Sequence, residues 1–383
     1  MMKITKNMAL MMGFYFLSFI AFAVPYAYMQ TFLSYVGYDV AQRGIILSGV
    51  AVVAIVLQFV VGYLCDKYQT DKKFFNLLSI FLTVATFVMY TVTKQMFFLH
   101  LIFASLVGGI SRTIMIVQDT WCIETDEACE RNFGPIRAFG AIGWVIGTPV
   151  AAMLIERFGY ESLGIIFAGM AIVNFLYTLL MQDAIKDAKS ASINFDDVKK
   201  LVVDRKYVIV VLLFLFINII DMSNMYTVND KLIELGANES MIGARWSIQA
   251  ITEIPLFFAG AFLLAKFGDF KLMVFGTIMY MVRFVFTAVA PTPEFVIAAS
   301  LLQGVTYPLI MITSKTIVNS ATPVYLRASG QTIAAAIYVG VSSLVTPALS
   351  GVLIASIGVD MTLICFGLLG FVVLLLALVY KRT

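Results

Sequence analysis

Charge is scarce in this chain of 383 residues: Lys, Arg, Asp and Glu together make up 13% of it. A soluble domain carries roughly 25%. Histidine is scarcer still, with His100 the only one, and the net charge of +3 gives no strong basic field. A nucleic-acid-binding protein is excluded on that ground. The four cysteines, Cys65, Cys122, Cys129 and Cys365, are scattered, with neither metal-ligand spacing nor a disulfide framework. No Gly-rich phosphate loop of the Walker type occurs, so the chain is not expected to hydrolyse ATP. What remains is apolar: 61% of the residues are hydrophobic and the mean hydropathy is +0.94. One water-soluble core cannot hide that much apolar surface. The bilayer is the solvent.

A spanning helix needs about 20 mostly apolar residues. Twelve runs reach that length, at 8–32, 43–65, 74–93, 96–120, 133–156, 159–182, 207–228, 240–265, 271–290, 293–318, 327–354 and 358–380. They predict an all-α membrane protein with twelve transmembrane helices, because barrel strands are only about 10 residues long. The first run continues past Ala21-Phe22-Ala23, so it reads as an uncleaved helix rather than a signal peptide.

Lys and Arg in short connections set orientation. Placing both termini in the cytoplasm puts seventeen cations inside and five outside, the five being Arg43, Lys94, Arg157, Lys231 and Arg245. A multi-pass protein of the cytoplasmic (inner) membrane is expected. The one long connection, 183–206, ends in a stretch from Asn194 that carries Phe195, Val198 and Val202 at helical spacing. It predicts an amphipathic helix on the membrane surface. This linker joins two six-helix bundles, 1–182 and 207–383.

The halves repeat. Gly44 matches Gly243 at an offset of 199 residues, and Lys67 and Lys72 match Lys266 and Lys271 at the same offset. Thr148-Pro149 and Leu154-Ile155 echo Thr346-Pro347 and Leu353-Ile354 within one residue of it. Two parallel repeats around a midplane cavity are an architecture of secondary transporters.

The run Gly62-Tyr-Leu-Cys-Asp66-Lys67-Tyr-Gln-Thr-Asp-Lys72-Lys73 resembles the loop signature of the major facilitator superfamily. From Arg43-Gly44 through Gln58 to Lys73 the chain is similar, more narrowly, to the lactose-permease branch and its oligosaccharide and nucleoside proton-symporter relatives. The resemblance implies two pseudo-symmetric six-helix bundles working by alternating access, with Gly62, Asp66, Lys67 and Lys72 as a conformational loop motif. There Gly62 is expected to allow close helix approach, and the lysines to hold the inner face.

Four cations fall inside spans, Arg112, Arg137, Arg283 and Lys315, with three carboxylates, Asp119, Asp221 and Glu253. Each costs about 2.5–3.5 kcal/mol or more at a helix centre and must face a cavity or a partner. Arg112 and Asp119 are seven residues apart and share a helix face, as do Arg137 and Trp144. A carboxylate and a guanidinium can bind neighbouring hydroxyls while an indole stacks on a sugar ring. The resemblance implies that role for Asp119, Arg137 and Trp144. Arg112 is an extra cation that would suit an anionic group. Tyr26, Gln58 and Gln303 complete the candidate substrate site.

In the second half, Glu253, Arg283 and Asp221 are the candidates for proton coupling, since a buried carboxylate beside Arg can alternate between protonated and ionised forms. The His and Glu of the permease pattern are replaced by Gln303 and Thr306. Lys315 reads as a side chain snorkelling to water, His100 as interfacial, and the run Glu124, Asp126, Glu127, Glu130 as a solvated loop.

The expected function is proton-coupled import of a sugar, oligosaccharide or similar polyhydroxylated solute. The alternatives are symport of a nucleoside or carboxylated organic anion, export of drugs or sugars on the same fold, and a non-transporting sensor. No enzyme activity, cofactor or metal is expected, and the proton is the coupling ion. The partners are a small-molecule substrate and the lipid bilayer, with no nucleic acid and a monomer as the functional unit.

Overall fold

A computed structural model describes residues 4–184, 201, 203–323 and 326–382. In order, the helices are α1 (Lys6–Ala27), α2 (Met29–Tyr35), α3 (Val40–Tyr68), α4 (Lys72–Thr91), α5 (Phe97–Ile123), the short α6 (Glu127–Arg131), α7 (Phe133–Phe158) and α8 (Leu163–Thr178). Then follow α9 (Arg205–Glu234), α10 (Glu239–Phe267), α11 (Asp269–Ala288), α12 (Pro293–Ala299), α13 (Tyr307–Ser320), α14 (Arg327–Ile357) and α15 (Val359–Arg382). Among the described residues, eleven spans are long and apolar enough to cross a membrane. The 29-residue α10 is a twelfth long helix, where the sequence places 240–265.

The repeat is written into the helix ends. Asp39 caps α3 by accepting from the Gln42 backbone N–H at 2.8 Å, and Asn238 caps α10 by accepting from the Met241 N–H at 2.9 Å. These caps lie 199 residues apart, and both helices are 29 residues long. Every described residue with positive φ has a counterpart at the same offset: Gly37 with Gly236, Gln69 with Gly268, and Gly159 with Gly358. Such positions end helices by turning the chain left-handed. Two halves with the same stops fold alike.

The chain divides into two compact units, Met1–Lys189 with Asn238–Ala250, and Ser190–Ala237 with Ile251–Thr383. The boundary therefore falls inside α10, whose first half belongs with the N-terminal helices, rather than only in the linker. There Thr148 and Ser247 share a 3.1 Å hydrogen bond and Tyr160 donates to Glu239 at 2.8 Å. Most of the stretch 194–206, on which the amphipathic helix is expected, lies outside the described residues. Asp204 accepts from the Tyr207 N–H at 2.8 Å and caps α9.

In the first unit α1 packs on α7, α3 on α5, and α4 on α5 and α8. Glycine sets the closest approaches: a Cβ on Gly143 would stand 2.4 Å from the Phe16 carbonyl oxygen. Gly62 does not work this way, because nothing lies within 4 Å of where its Cβ would be. Helix contact, which sequence spacing alone does not report, falls elsewhere on α3.

Three cations assigned above to outer connections sit inside helices and are buried: Arg43, Lys231 and Arg245. Arg43 donates to Ser34 Oγ and the Tyr38 carbonyl at 3.0 Å, and Lys231 pairs with Asp360 at 2.5 Å. The Arg245 guanidinium lies 4.8 Å from the centre of the Trp246 ring. Partners outside their own helices hold Arg43 and Lys231 where the sequence places a loop. His100 is buried rather than interfacial, its two ring nitrogens bonded to Tyr38 Oη (2.8 Å) and the Val92 carbonyl (2.9 Å). Asp126 is no solvated loop residue either. It caps α6 through the Cys129 N–H at 2.7 Å and accepts from Asn7 Nδ2 at 2.8 Å.

Candidate functional site

Each unit carries its own polar cluster. In the first, α1 and α5 run antiparallel, so residues climbing one helix meet residues descending the other. Tyr15 donates to Asp119 Oδ1 at 2.7 Å, and eleven residues further up α1 Tyr26 accepts from Arg112 Nε at 3.1 Å. Arg112 and Asp119 thus stand on two levels about 10 Å apart along α5.

On the lower level Arg137 of α7 pairs with Asp119 at 3.2 Å, the two side chains 32% and 35% exposed. That exposure leaves both charges within reach of a solute. The Arg137 guanidinium also lies 4.4 Å from the Phe19 ring centre and 5.6 Å from that of Tyr15. Cation–π contact of this kind orients the planar group. On the upper level Trp144 meets Tyr26 edge to face at 6.3 Å, and Trp246 at 6.3 Å and 86°. The Trp246 indole N–H is buried and has no hydrogen-bond partner among the described residues. It is a donor available to a ligand.

The second unit holds the other cluster. The helix carrying Gln303 breaks: α12 runs into a 3-10 segment, Ser300–Val305, before α13 begins. Gly304 there lies where a Cβ would stand 2.5 Å from the Thr252 carbonyl oxygen, so this turn presses against α10. Gln303 consequently reaches two charges. Its Nε2 donates to Glu253 Oε1 at 2.8 Å, and its Oε1 accepts from Arg283 Nη1. One amide bridges the carboxylate and the guanidinium. Asp221 of α9 is held separately by the Tyr280 hydroxyl at 2.5 Å.

Beside Asp221 opens a cavity of about 400 Å³. Its wall includes Asp221, Tyr280, Tyr307, Tyr338, Asn218 and Lys315. Among the described residues no group of three or more His, Cys, Asp or Glu is placed to hold a metal ion.

Residues 8–365 match the model of the MFS_1 like family. The chain belongs to the major facilitator superfamily. It is a multi-pass membrane transporter and not an enzyme. The "Putative nucleoside transporter YegT" of Escherichia coli (strain K12) is 23% identical over 372 residues, covering 92% of this chain and 85% of that one. The maltose permease of Geobacillus stearothermophilus is 22% identical over 373 residues, covering 96% and 93%. The crystal structure of the nucleoside transporter NupG superposes with a TM-score of 0.82 at 16% identity, covering 99% of each chain.

In this transporter the structure brings together Asp119 and Arg137, Arg112 and Tyr26, and Glu253, Arg283 and Gln303. Gln303, expected among the substrate residues, bridges the coupling candidates instead. Gln58, half-buried on α3, makes none of the hydrogen bonds that tie these groups. Lys72 is engaged within the first unit: its Nζ donates to the Met181 carbonyl at 2.9 Å and its backbone N–H to Asp183 at 3.0 Å. Lys67 lies over Tyr63 and Tyr68, and Asp66 is exposed at the end of α3. Lys315 is exposed and lines the cavity wall.

Sequence reasoning passed over Tyr15, Trp246, Tyr280, Tyr307 and Tyr338. Tyr280 stands three residues before Arg283 on one helix face, and Tyr307 eight before Lys315, so spacing to a buried charge was the available signal.

Proposed function

We infer that this transporter imports a nucleoside by proton symport, with both termini in the cytoplasm and a monomer as the working unit. The observation that carries the reading is the cavity of about 400 Å³ whose wall combines three tyrosines with the Asn218 amide and the Asp221 carboxylate. A flat heteroaromatic base suits aromatic walls, because offset or edge-on rings attract by about 0.5–1.5 kcal/mol beyond burial. Amide and carboxylate supply the polar edge contacts. In the first unit Asp119 and Arg137, partly exposed and fixed by Tyr15 and Phe19, form a polar cluster of their own that suits neighbouring hydroxyls. The relative YegT carries a nucleoside transporter's name.

Glu253 is the proton carrier in this reading and Asp221 the second. Glu253 is linked through Gln303 to a cation, so gain or loss of its proton changes the charge balance of the whole cluster. A sugar is the second reading, favoured by Trp144 standing between Tyr26 and Trp246 and by the maltose permease relative.

Uptake into proteoliposomes with an imposed pH gradient tests both. Uridine accumulation driven by an alkaline interior and abolished by a protonophore supports nucleoside symport. Accumulation of maltose alone transfers the assignment to the sugar reading. Efflux of either solute against its gradient, with no uptake, overturns import. Glu253→Gln is expected to retain exchange across the membrane and to lose uphill accumulation. Uphill transport by that variant sinks the coupling assignment.

A further inference from the structure

One face of α13 lines the cavity. Tyr307, Met311, Ser314 and Lys315 recur at helical spacing, and eight residues separate Tyr307 from Lys315, about 12 Å along the axis. At the Lys315 end Gln331 of α14 donates from Nε2 to the Lys315 carbonyl at 2.6 Å and to Asn319 Oδ1 at 3.0 Å. The backbone of Lys315 is thereby pinned, and both amide protons of Gln331 are spent. Ser314 Oγ is likewise spent, on the Met311 carbonyl at 2.9 Å. The ammonium of Lys315 has no hydrogen bond or ion pair among the described residues, and its side chain is exposed in the cavity wall.

Asp221 does not neutralise it. α9 and α14 run side by side, with Tyr207 bonded to the Gly330 carbonyl at 2.6 Å and Phe214 against Tyr338 at 5.8 Å. Asp221 lies two turns beyond Phe214, and Gln331 lies about two turns before Tyr338. The cavity therefore has a carboxylate at one end and, at the other, a cation with no partner among the described residues. About 20 Å of helix separates them, too far for a direct ion pair.

We propose that Lys315 is an anion-recognising residue of this cavity, and that the nucleoside-like solute of the proposed function is carried as an anionic derivative, with a carboxylate or phosphate on its ring-bearing, hydroxylated body. The assignment rests on the cavity being the substrate site, as under the proposed function. An ammonium in a wetted wall loses little on desolvation and gains a charge-assisted hydrogen bond, roughly twice as strong as a neutral one.

Isothermal titration of the purified protein in nanodiscs, with matched neutral and anionic solutes, tests this. The pairs are uridine with uridine 5′-monophosphate and glucose with glucuronate, and acetate and inorganic phosphate serve as simple anions. The anionic member of one pair is expected to bind at least about tenfold tighter, about 1.4 kcal/mol. Which pair shows it separates phosphate from carboxylate. Lys315→Gln should erase that preference and Lys315→Arg should keep most of it. In the unsubstituted protein, salt raised from about 0.05 to about 0.5 M should weaken it, which decides the matter even if Lys315→Gln does not fold. Neutral members binding as tightly as their anionic partners overturn the assignment and leave the proposed function standing. Binding of acetate or phosphate alone, lost in Lys315→Gln, keeps Lys315 and overturns the nucleoside and sugar readings. Binding of nothing in the panel overturns both.

Discussion

Arg137 reaches Asp119 at 3.2 Å from a neighbouring helix while its guanidinium rests 4.4 Å from the Phe19 ring. The pair is one-third exposed, so its contribution to stability is modest, about 0–1 kcal/mol for comparable ion pairs. Under the recognition role proposed for it, with Tyr15 donating to the same carboxylate oxygen, the pair matters more to uptake than to stability. Asp119→Asn is therefore expected to cut uptake at least about tenfold, about 1.4 kcal/mol of transition-state stabilisation, with little change in the melting midpoint. Arg137→Lys should not rescue it, since an ammonium lacks the planar fork that meets carboxylate and ring together. Uptake and thermal melts on the same preparations check both.

The amide of Gln303 is bonded to both Glu253 and Arg283. Gln303→Leu removes an acceptor for the guanidinium and a donor to the carboxylate at once, in a buried setting. A loss of about 1–3 kcal/mol per group left unsatisfied is expected, seen as a lower melting midpoint. A proton-to-solute ratio unchanged in this variant would separate Gln303 from coupling.

Trp246 offers its buried indole N–H to no described partner. Trp246→Phe keeps the ring that meets Trp144 and removes only the donor. If the group serves the solute, affinity should fall several-fold, about 1 kcal/mol for one neutral hydrogen bond, with the melting midpoint held. Titration of the variant decides.

Gly143 and Gly62 should respond in opposite ways to a methyl group. Gly143→Ala drives a carbon to within 2.4 Å of the Phe16 carbonyl, and overpacking of this sort costs about 1–3 kcal/mol. Gly62→Ala meets open space, and it should raise helix stability slightly, by up to about 1 kcal/mol.

Burial pushes the Asp126 carboxyl up, but hydrogen bonds from Asn7 Nδ2 and the backbone N–H of Cys129 outweigh it and hold the group below the usual carboxylate range. Since its folded value is depressed, its stabilising effect is present above the unfolded value, about 3.9. It is lost as pH falls through the folded value. Asp126→Asn should flatten the acid side of the melting curve below about pH 4, measured against the unsubstituted protein.

Twelve apolar runs, the 199-residue repeat and the short set of charges inside spans were all legible along the chain. Hydropathy and the 1.5 Å rise per residue act in one dimension, so lengths, levels and shared helix faces follow from spacing alone. Partner choice did not follow. Which way a helix is rotated, and what stands opposite it, depends on packing between segments far apart in sequence. Only the tertiary structure could set Gln303 between Glu253 and Arg283, leave Gly62 beside empty space, draw Arg43, Lys231 and Arg245 inside helices, and turn Lys315 into the cavity wall. The scarcity of charge told that each buried ion needs a partner. The fold chose the partner, because a hydrogen bond is satisfied by geometry and not by composition.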